Sequence, residues 1–140
     1  MTCLPDVNVW IALAVGEHVH NPSARKCLDT VDDDVYFCRV TQMGLLRLLT
    51  NRQALGSDAF SPARAWYAFD SFLKDSRISQ IEEPTALDHY WRAWTTGERR
   101  GSNWWTDAYL AAFAATAECT LVTFDVQLAG SAIASTLLLR

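Results

Sequence analysis

Three aspartates in this chain stand where an acid could do chemistry: Asp6, Asp107 and Asp125. Asp6 follows the apolar opening CLP and precedes VNVWIALA, so it sits where a buried strand gives way to a helix. Asp125 closes the β-branched run TLVTFD, and Asp107 falls in the first turn of the Ala-rich segment WTDAYLAAFAATAEC. Two carboxylates about 5 Å apart at an effective dielectric near 20 repel by roughly 3 kcal/mol. A third makes an empty pocket worse, so protons or a cation must be taken up. Oxygen-only ligands select Mg²⁺, or Mn²⁺ in its place, over zinc. Such an ion polarises a phosphodiester and lowers the pKa of a water for attack. The implied chemistry is metal-dependent phosphodiester hydrolysis. Each acid also has a plainer use: Asp6 as a helix cap, Asp107 as a complement to a helix dipole, and Asp125 as the start of the turn DVQLAG.

For the three to meet, the elements around them must share an edge. CLPDV reads as a strand, followed by a helix over 7–14. Helices are expected over 21–31, 41–51 with Thr41 as cap, 61–75 with Ser-Pro at its start, 83–95 and 105–119. Strands are expected at VYFC (35–38), ISQI (78–81), CTLVTFD (119–125) and STLLL (135–139). Alternating strands and helices predict an α/β fold, a three-layer α/β/α sandwich with a central, mostly parallel sheet of four to five strands. The runs LVTF and TLLL suit strands buried on both faces. In a parallel sheet all carboxyl ends share one side, where open α/β folds place their ligands. No repeat or linker interrupts residues 1–140, which read as one domain.

Composition narrows the class. Half the residues are apolar and 20% are charged, which is globular rather than disordered. No apolar run approaches the roughly 20 residues needed to cross a bilayer, and no signal peptide is evident, so a cytoplasmic protein is expected. The net charge of −4 argues against binding nucleic acid through the overall field. Cys3, Cys27, Cys38 and Cys119 are scattered, as reduced buried thiols are. His18 and His20 form an H-x-H pair that reads as solvated, and Asp32–Asp34 as a turn.

Taken together, PDVNVWIALA (5–14), RVTQMGLLRLLTN (39–51), WWTDAYLAAFA (104–114) and LVTFD (121–125) resemble a PIN-domain ribonuclease, specifically a VapC-type toxin of a toxin–antitoxin pair. The resemblance implies Mg²⁺-dependent endoribonuclease activity, a homodimer, and a cognate VapB-type antitoxin laid across the site. Asp6, Asp107 and Asp125 become the catalytic, metal-holding acids. Asn8 and Thr123 become side chains that orient them. The chain departs from the pattern at Gln42, where the family commonly has a glutamate. Gln42 offers a carbonyl oxygen to the metal or its water, without charge. Asn103, near where some relatives add an acid, is neutral too.

The loop TTGERRGSNWW (95–105) precedes Asp107 and carries Arg99, Arg100 and two tryptophans. Arginines there would hold RNA phosphates, and an exposed Trp would stack an unpaired base. Arg39, Arg47 and Arg52 form a second basic set. The apolar faces LLRLL and AWYAFDSFL suit a protein partner. The competing reading is a PIN-like module that binds RNA or antitoxin without cutting. A dehalogenase-type phosphatase is disfavoured because Asn8 stands where its second acid belongs, and a receiver domain because no lysine follows Lys74.

Overall fold

The computed structural model describes residues 1–99, 101–130 and 134–140. Five strands form one sheet: β1 (Cys3–Pro5), β2 (Val35–Phe37), β3 (Ile78–Gln80), β4 (Thr120–Thr123) and β5 (Thr136–Leu138). Their order is β3-β2-β1-β4-β5, and every pairing is parallel. The helices are α1 (Val7–Ala14), α2 (Asn21–Thr30), α3 (Arg39–Leu49), α4 (Arg52–Leu55), α5 (Pro62–Phe72), α6 (Leu87–Trp94), α7 (Trp104–Thr116) and α8 (Val126–Ala129).

Alternation along the strands sorts side chains into two cores, as a period of two requires. Cys3 and Val122 face a cluster with Trp10, Phe37, Leu45, Leu49 and Phe69, beneath α1, α3 and α5. Leu4 and Leu121 face the opposite cluster, with Leu110, Phe113 and Leu128, beneath α7 and α8. Helices therefore cover both faces, and the expected three-layer α/β/α sandwich is the observed one. Trp10 stacks on Phe37 with ring centroids 3.7 Å apart, tying α1 to β2.

Several boundaries differ from expectation. The third helix starts at Arg39 and is capped by Cys38. Thr41 lies at the third helical position, buried, and its hydroxyl accepts the Cys38 N–H at 3.0 Å. Helix α6 starts at Leu87, four residues later than expected, because Pro84 and its neighbours make a turn. Strand β5 is only partly buried, since it is an edge with one neighbour; the apolar run TLLL reads the same at an edge as at a centre. The short helices α4 and α8 were not anticipated. Each spans four residues, too little for a hydrophobic period to register.

The crossing of α1 and α3 bears on the site. A Cβ built on Gly44 would lie 2.5 Å from one methyl of Val7 and 3.1 Å from the other. Valine is stiff at χ1, so the methyls cannot swing aside cheaply. Val7 directly follows Asp6. We expect Gly44→Ala to destabilise by about 1–3 kcal/mol, measured by chemical denaturation, because α1 must move away from α3.

Candidate active site at the carboxyl edge of the sheet

Asp6 is both things its position allowed. It leaves the end of β1 with its N–H donating to the Val122 carbonyl at 2.8 Å, so it continues the ladder with β4. Its extended backbone also makes it the N-cap of α1, where Oδ1 accepts the Val7 N–H at 2.7 Å. Asp125 repeats the arrangement one strand over. It caps α8, with Oδ1 accepting from the Gln127 and Leu128 N–H groups at 2.8 and 3.3 Å. Each cap engages one oxygen through backbone donors and fixes the direction of the other. Strand ends and helix starts coincide here because the crossovers begin on this edge.

Thr123 lies between the two acids and is fully buried. Its hydroxyl donates to Asp6 Oδ2 at 3.0 Å and accepts from the Asp125 N–H at 3.0 Å. The Asn8 side-chain amide donates to the same hydroxyl at 3.3 Å, and Asn8 Oδ1 accepts the Phe124 N–H at 3.3 Å. One donor and two acceptor positions are all a hydroxyl offers, so Thr123 is saturated. Asn8 and Thr123 thus orient the acids from residues 115 positions apart in the chain.

Asp107 arrives from the other face, in the first turn of α7, its N–H bonded to the Asn103 carbonyl at 2.8 Å. No hydrogen bond to its carboxylate exists among the described residues. Burial, then the nearby charges of Asp6 and Asp125, push its pKa up to about 6. Burial likewise raises Asp6, with Asp125 adding to it, against the Val7 N–H and the Thr123 hydroxyl, which favour the charged form. Asp107 therefore lies in the field of both other acids, and Asp6 in that of Asp125.

Among the described residues, no three or more His, Cys, Asp or Glu side chains are grouped to hold an ion by themselves. A hard divalent ion keeps several waters and takes one or two carboxylates directly. All three acids are hard oxygen donors, and burial, followed by neighbouring carboxylate charge, raises Asp6 and Asp107. The donor set fits such an ion.

The other expected residues divide. Gln42 is buried, but its Oε1 accepts from Arg39 at 2.5 Å and from the Gln80 amide at 3.0 Å. Both lone pairs are committed to neighbours on α3 and β3, and among the described residues Gln42 forms no hydrogen bond with the three acids. The structure joins Asp6, Asn8, Thr123 and Asp125 in one frame and leaves Gln42 outside it, its carbonyl held by Arg39 and Gln80. Arg99 is exposed and in no ion pair among the described residues; Arg100 lies outside them. Two contacts near the site have no counterpart in the sequence reading. The His20 ring lies flat on Phe124, centroids 4.4 Å apart, immediately beside Asp125. Tyr109 donates to Glu83 at 2.6 Å, fastening the loop after β3 to α7 two residues beyond Asp107. Neither contact has a local sequence signal, since each joins residues far apart in the chain.

A five-stranded parallel sandwich with acids converging at its carboxyl edge is the arrangement of the PIN domain; residues 3–132 match that family, and the chain belongs to it. It is 45% identical over 128 residues to Ribonuclease VapC41 of Mycobacterium tuberculosis, covering 87% of this chain and 88% of that protein. It is 32% identical over 132 residues to Ribonuclease VapC29 of the same organism, covering 92% and 90%. The resemblance to VapC-type ribonucleases is thereby borne out. Among solved structures, VapBC2 from Rickettsia felis, bound to a DNA fragment from its promoter, superposes with a TM-score of 0.75 at 17% identity, covering all of both chains. VapC20 of M. tuberculosis, described as a sarcin–ricin loop cleaving toxin, gives 0.70 at 16% identity, covering 93% of this chain and 95% of that one. At those identities the structures speak for the fold alone.

Proposed function

We infer that this chain is an endoribonuclease, the toxin of a type II toxin–antitoxin module, restrained by a cognate VapB-type antitoxin. The supporting observation is the convergence of Asp6, Asp107 and Asp125, two of them bound into one hydrogen-bonded frame through Thr123. Similarity to Ribonuclease VapC41 over most of the chain supports the RNA substrate and the reaction class.

In this reading Asp6, Asp107 and Asp125 hold a divalent cation, Mg²⁺ with Mn²⁺ as substitute. When bound, the ion would polarise the scissile phosphodiester and acidify the attacking water. Asn8 and Thr123 keep the Asp6 and Asp125 oxygens aimed. Arg99, exposed in the loop that leads to Asp107, holds a flanking phosphate, and Arg100 shares that role by its place in the sequence. Hydrolysis leaves a 5′-phosphate and a 3′-hydroxyl. The antitoxin works by occupying the acidic edge, which a basic side chain complements. Exposed Met43 on α3 and Trp66 and Tyr67 on α5 support a protein-covered face there, a homodimer contact in this reading. No helix among the described residues is long and apolar enough to cross a membrane, and the proposed location is the cytoplasm with its RNA.

The test is cleavage of pooled structured RNA by antitoxin-free protein with Mg²⁺, with Mn²⁺ and with EDTA. Cuts that need the metal and carry 5′-phosphate ends are expected. Ends bearing a 2′,3′-cyclic phosphate would sink the mechanism. Loss of both cleavage and divalent binding by calorimetry would leave the non-catalytic binding module.

A further inference from the structure

Beside Asp107 a cavity of about 450 Å³ opens between the loop after α6, the start of α7 and α8. Its volume falls in the roughly 300–1,000 Å³ range of small-ligand sites. Trp94, Trp104, Ala108 and Leu128 give it apolar walls, and Asp107 itself forms part of one side. The polar groups at its margin are Glu98 and Gln127. Glu98 forms no ion pair among the described residues, and neither its carboxylate nor the Gln127 side-chain amide forms a hydrogen bond among them. The nuclease frame uses none of these groups except Asp107.

We propose that this cavity receives the nucleobase next to the scissile phosphate, and that Glu98 and Gln127 make it prefer guanine. The proposal rests on the ribonuclease reading for its ligand class. A phosphate held at Asp107 leaves its own nucleotide within reach of the adjoining wall, and single-stranded RNA is read by splaying bases onto aromatic side chains and bonding their Watson–Crick edges. Trp94 and Trp104 supply the aromatic surface. An ionised carboxylate only accepts hydrogen bonds. Guanine alone among the four bases presents two adjacent donors, N1–H and the exocyclic amine, which match the two Glu98 oxygens. Its neighbouring O6 accepts from the Gln127 amide. Uracil, cytosine and adenine each place an acceptor where Glu98 requires a donor, and so leave an acid facing a lone pair.

The experiment uses the Asp6→Asn protein, so that RNA is bound and not cut. Fluorescence anisotropy reads its affinity for four labelled octanucleotides, uridine throughout except for A, C, G or U at one central position. The guanine oligonucleotide is expected to bind about tenfold tighter than the others, as a good bidentate pair allows. Glu98→Gln should bring all four within twofold of one another. Trp104→Ala should weaken guanine binding by about tenfold, and Trp104→Phe should largely restore it. Melting curves for each variant separate lost contact from lost fold. Equal affinity for the four RNAs, or a guanine preference that survives Glu98→Gln, overturns the proposal. So does a set of variants that weakens antitoxin binding while RNA affinity stays the same, because the cavity then belongs to the protein partner. Cleavage by the unaltered protein without base preference removes the pocket and keeps the nuclease. Guanine-selective binding without any cleavage does the reverse.

Discussion

Asp107→Asn is expected to abolish cleavage and, in the absence of metal, to make the protein more stable at neutral pH. In the proposed mechanism the first effect follows from charge. Removing one of three acids weakens a cation that contributes several kcal/mol to the transition state, so a fall of about a thousandfold is expected. The second effect follows from the direction in which Asp107 is shifted. Its pKa is raised, to about 6, by burial and by Asp6 and Asp125. The folded state therefore holds that proton more tightly than the unfolded chain does. The group's contribution is fully present below the ordinary carboxylate range and is lost as the pH rises through about 6. With allowance for solvent screening, that loss is on the order of 1–2 kcal/mol. Asparagine keeps the shape and removes the titration. Urea denaturation in EDTA at pH 5 and pH 7.5 should show the variant gaining on the parent at the higher pH. Adding Mg²⁺ should then stabilise the parent and leave the variant nearly unmoved. A variant equally stable at both pH values relative to the parent would mean that neither burial nor the neighbouring acids raise Asp107.

Thr123→Val should impair cleavage less severely, and without touching a carboxylate. The substitution conserves volume and deletes the hydroxyl that donates to Asp6 and accepts from Asp125 and Asn8. The Asp125 N–H and Asn8 amide are left without their acceptor, a cost of about 1–3 kcal/mol where such groups stay buried. Loss of a side chain that orients metal-holding acids typically costs 10–100-fold in metal affinity or rate, and that range is expected here. A pH profile distinguishes this role from simple packing. The Thr123 hydrogen bond favours the charged form of Asp6, so its loss raises Asp6 further and shifts the acid limb of the rate profile to higher pH. Thr123→Ser retains the hydroxyl and should keep most activity. If Ser and Val behave alike, the methyl matters and the hydroxyl does not.

Much of this arrangement was legible because residue types and element boundaries coincide at Asp6 and Asp125. An acid that ends an apolar strand and begins a helix is conspicuous, and the parallel topology implied by alternation carries both acids to one edge. Thr123 was marked only by the resemblance to the family, and it is the last residue of β4. The partners of Gln42 were not legible. Whether its carbonyl faces the acids or Arg39 and Gln80 depends on the rotation of α3, and α3 begins two residues earlier than Thr41 suggested because a cysteine can cap where a threonine was expected. The stacking of His20 on Phe124 and the Tyr109–Glu83 bond are tertiary contacts with no periodic trace in the chain. Strand β5 shows a further limit, since hydrophobicity reports that a strand is buried somewhere but not on how many sides.

The central position of β1 also sets the order of assembly. Cys3, Leu4 and Pro5 pair with Thr120, Leu121 and Val122, so the middle of the sheet joins the two ends of the chain. Contacts of such long sequence separation carry a high loop-closure cost before they return any burial, and parallel sheets built this way fold slowly. A nascent chain that has not yet emerged past residue 123 lacks both Asp125 and the hydroxyl that braces Asp6. In the proposed mechanism it cannot cut RNA, however well its first half has collapsed. In that reading cleavage waits on the docking of β4, so most of the chain must be made before the site exists.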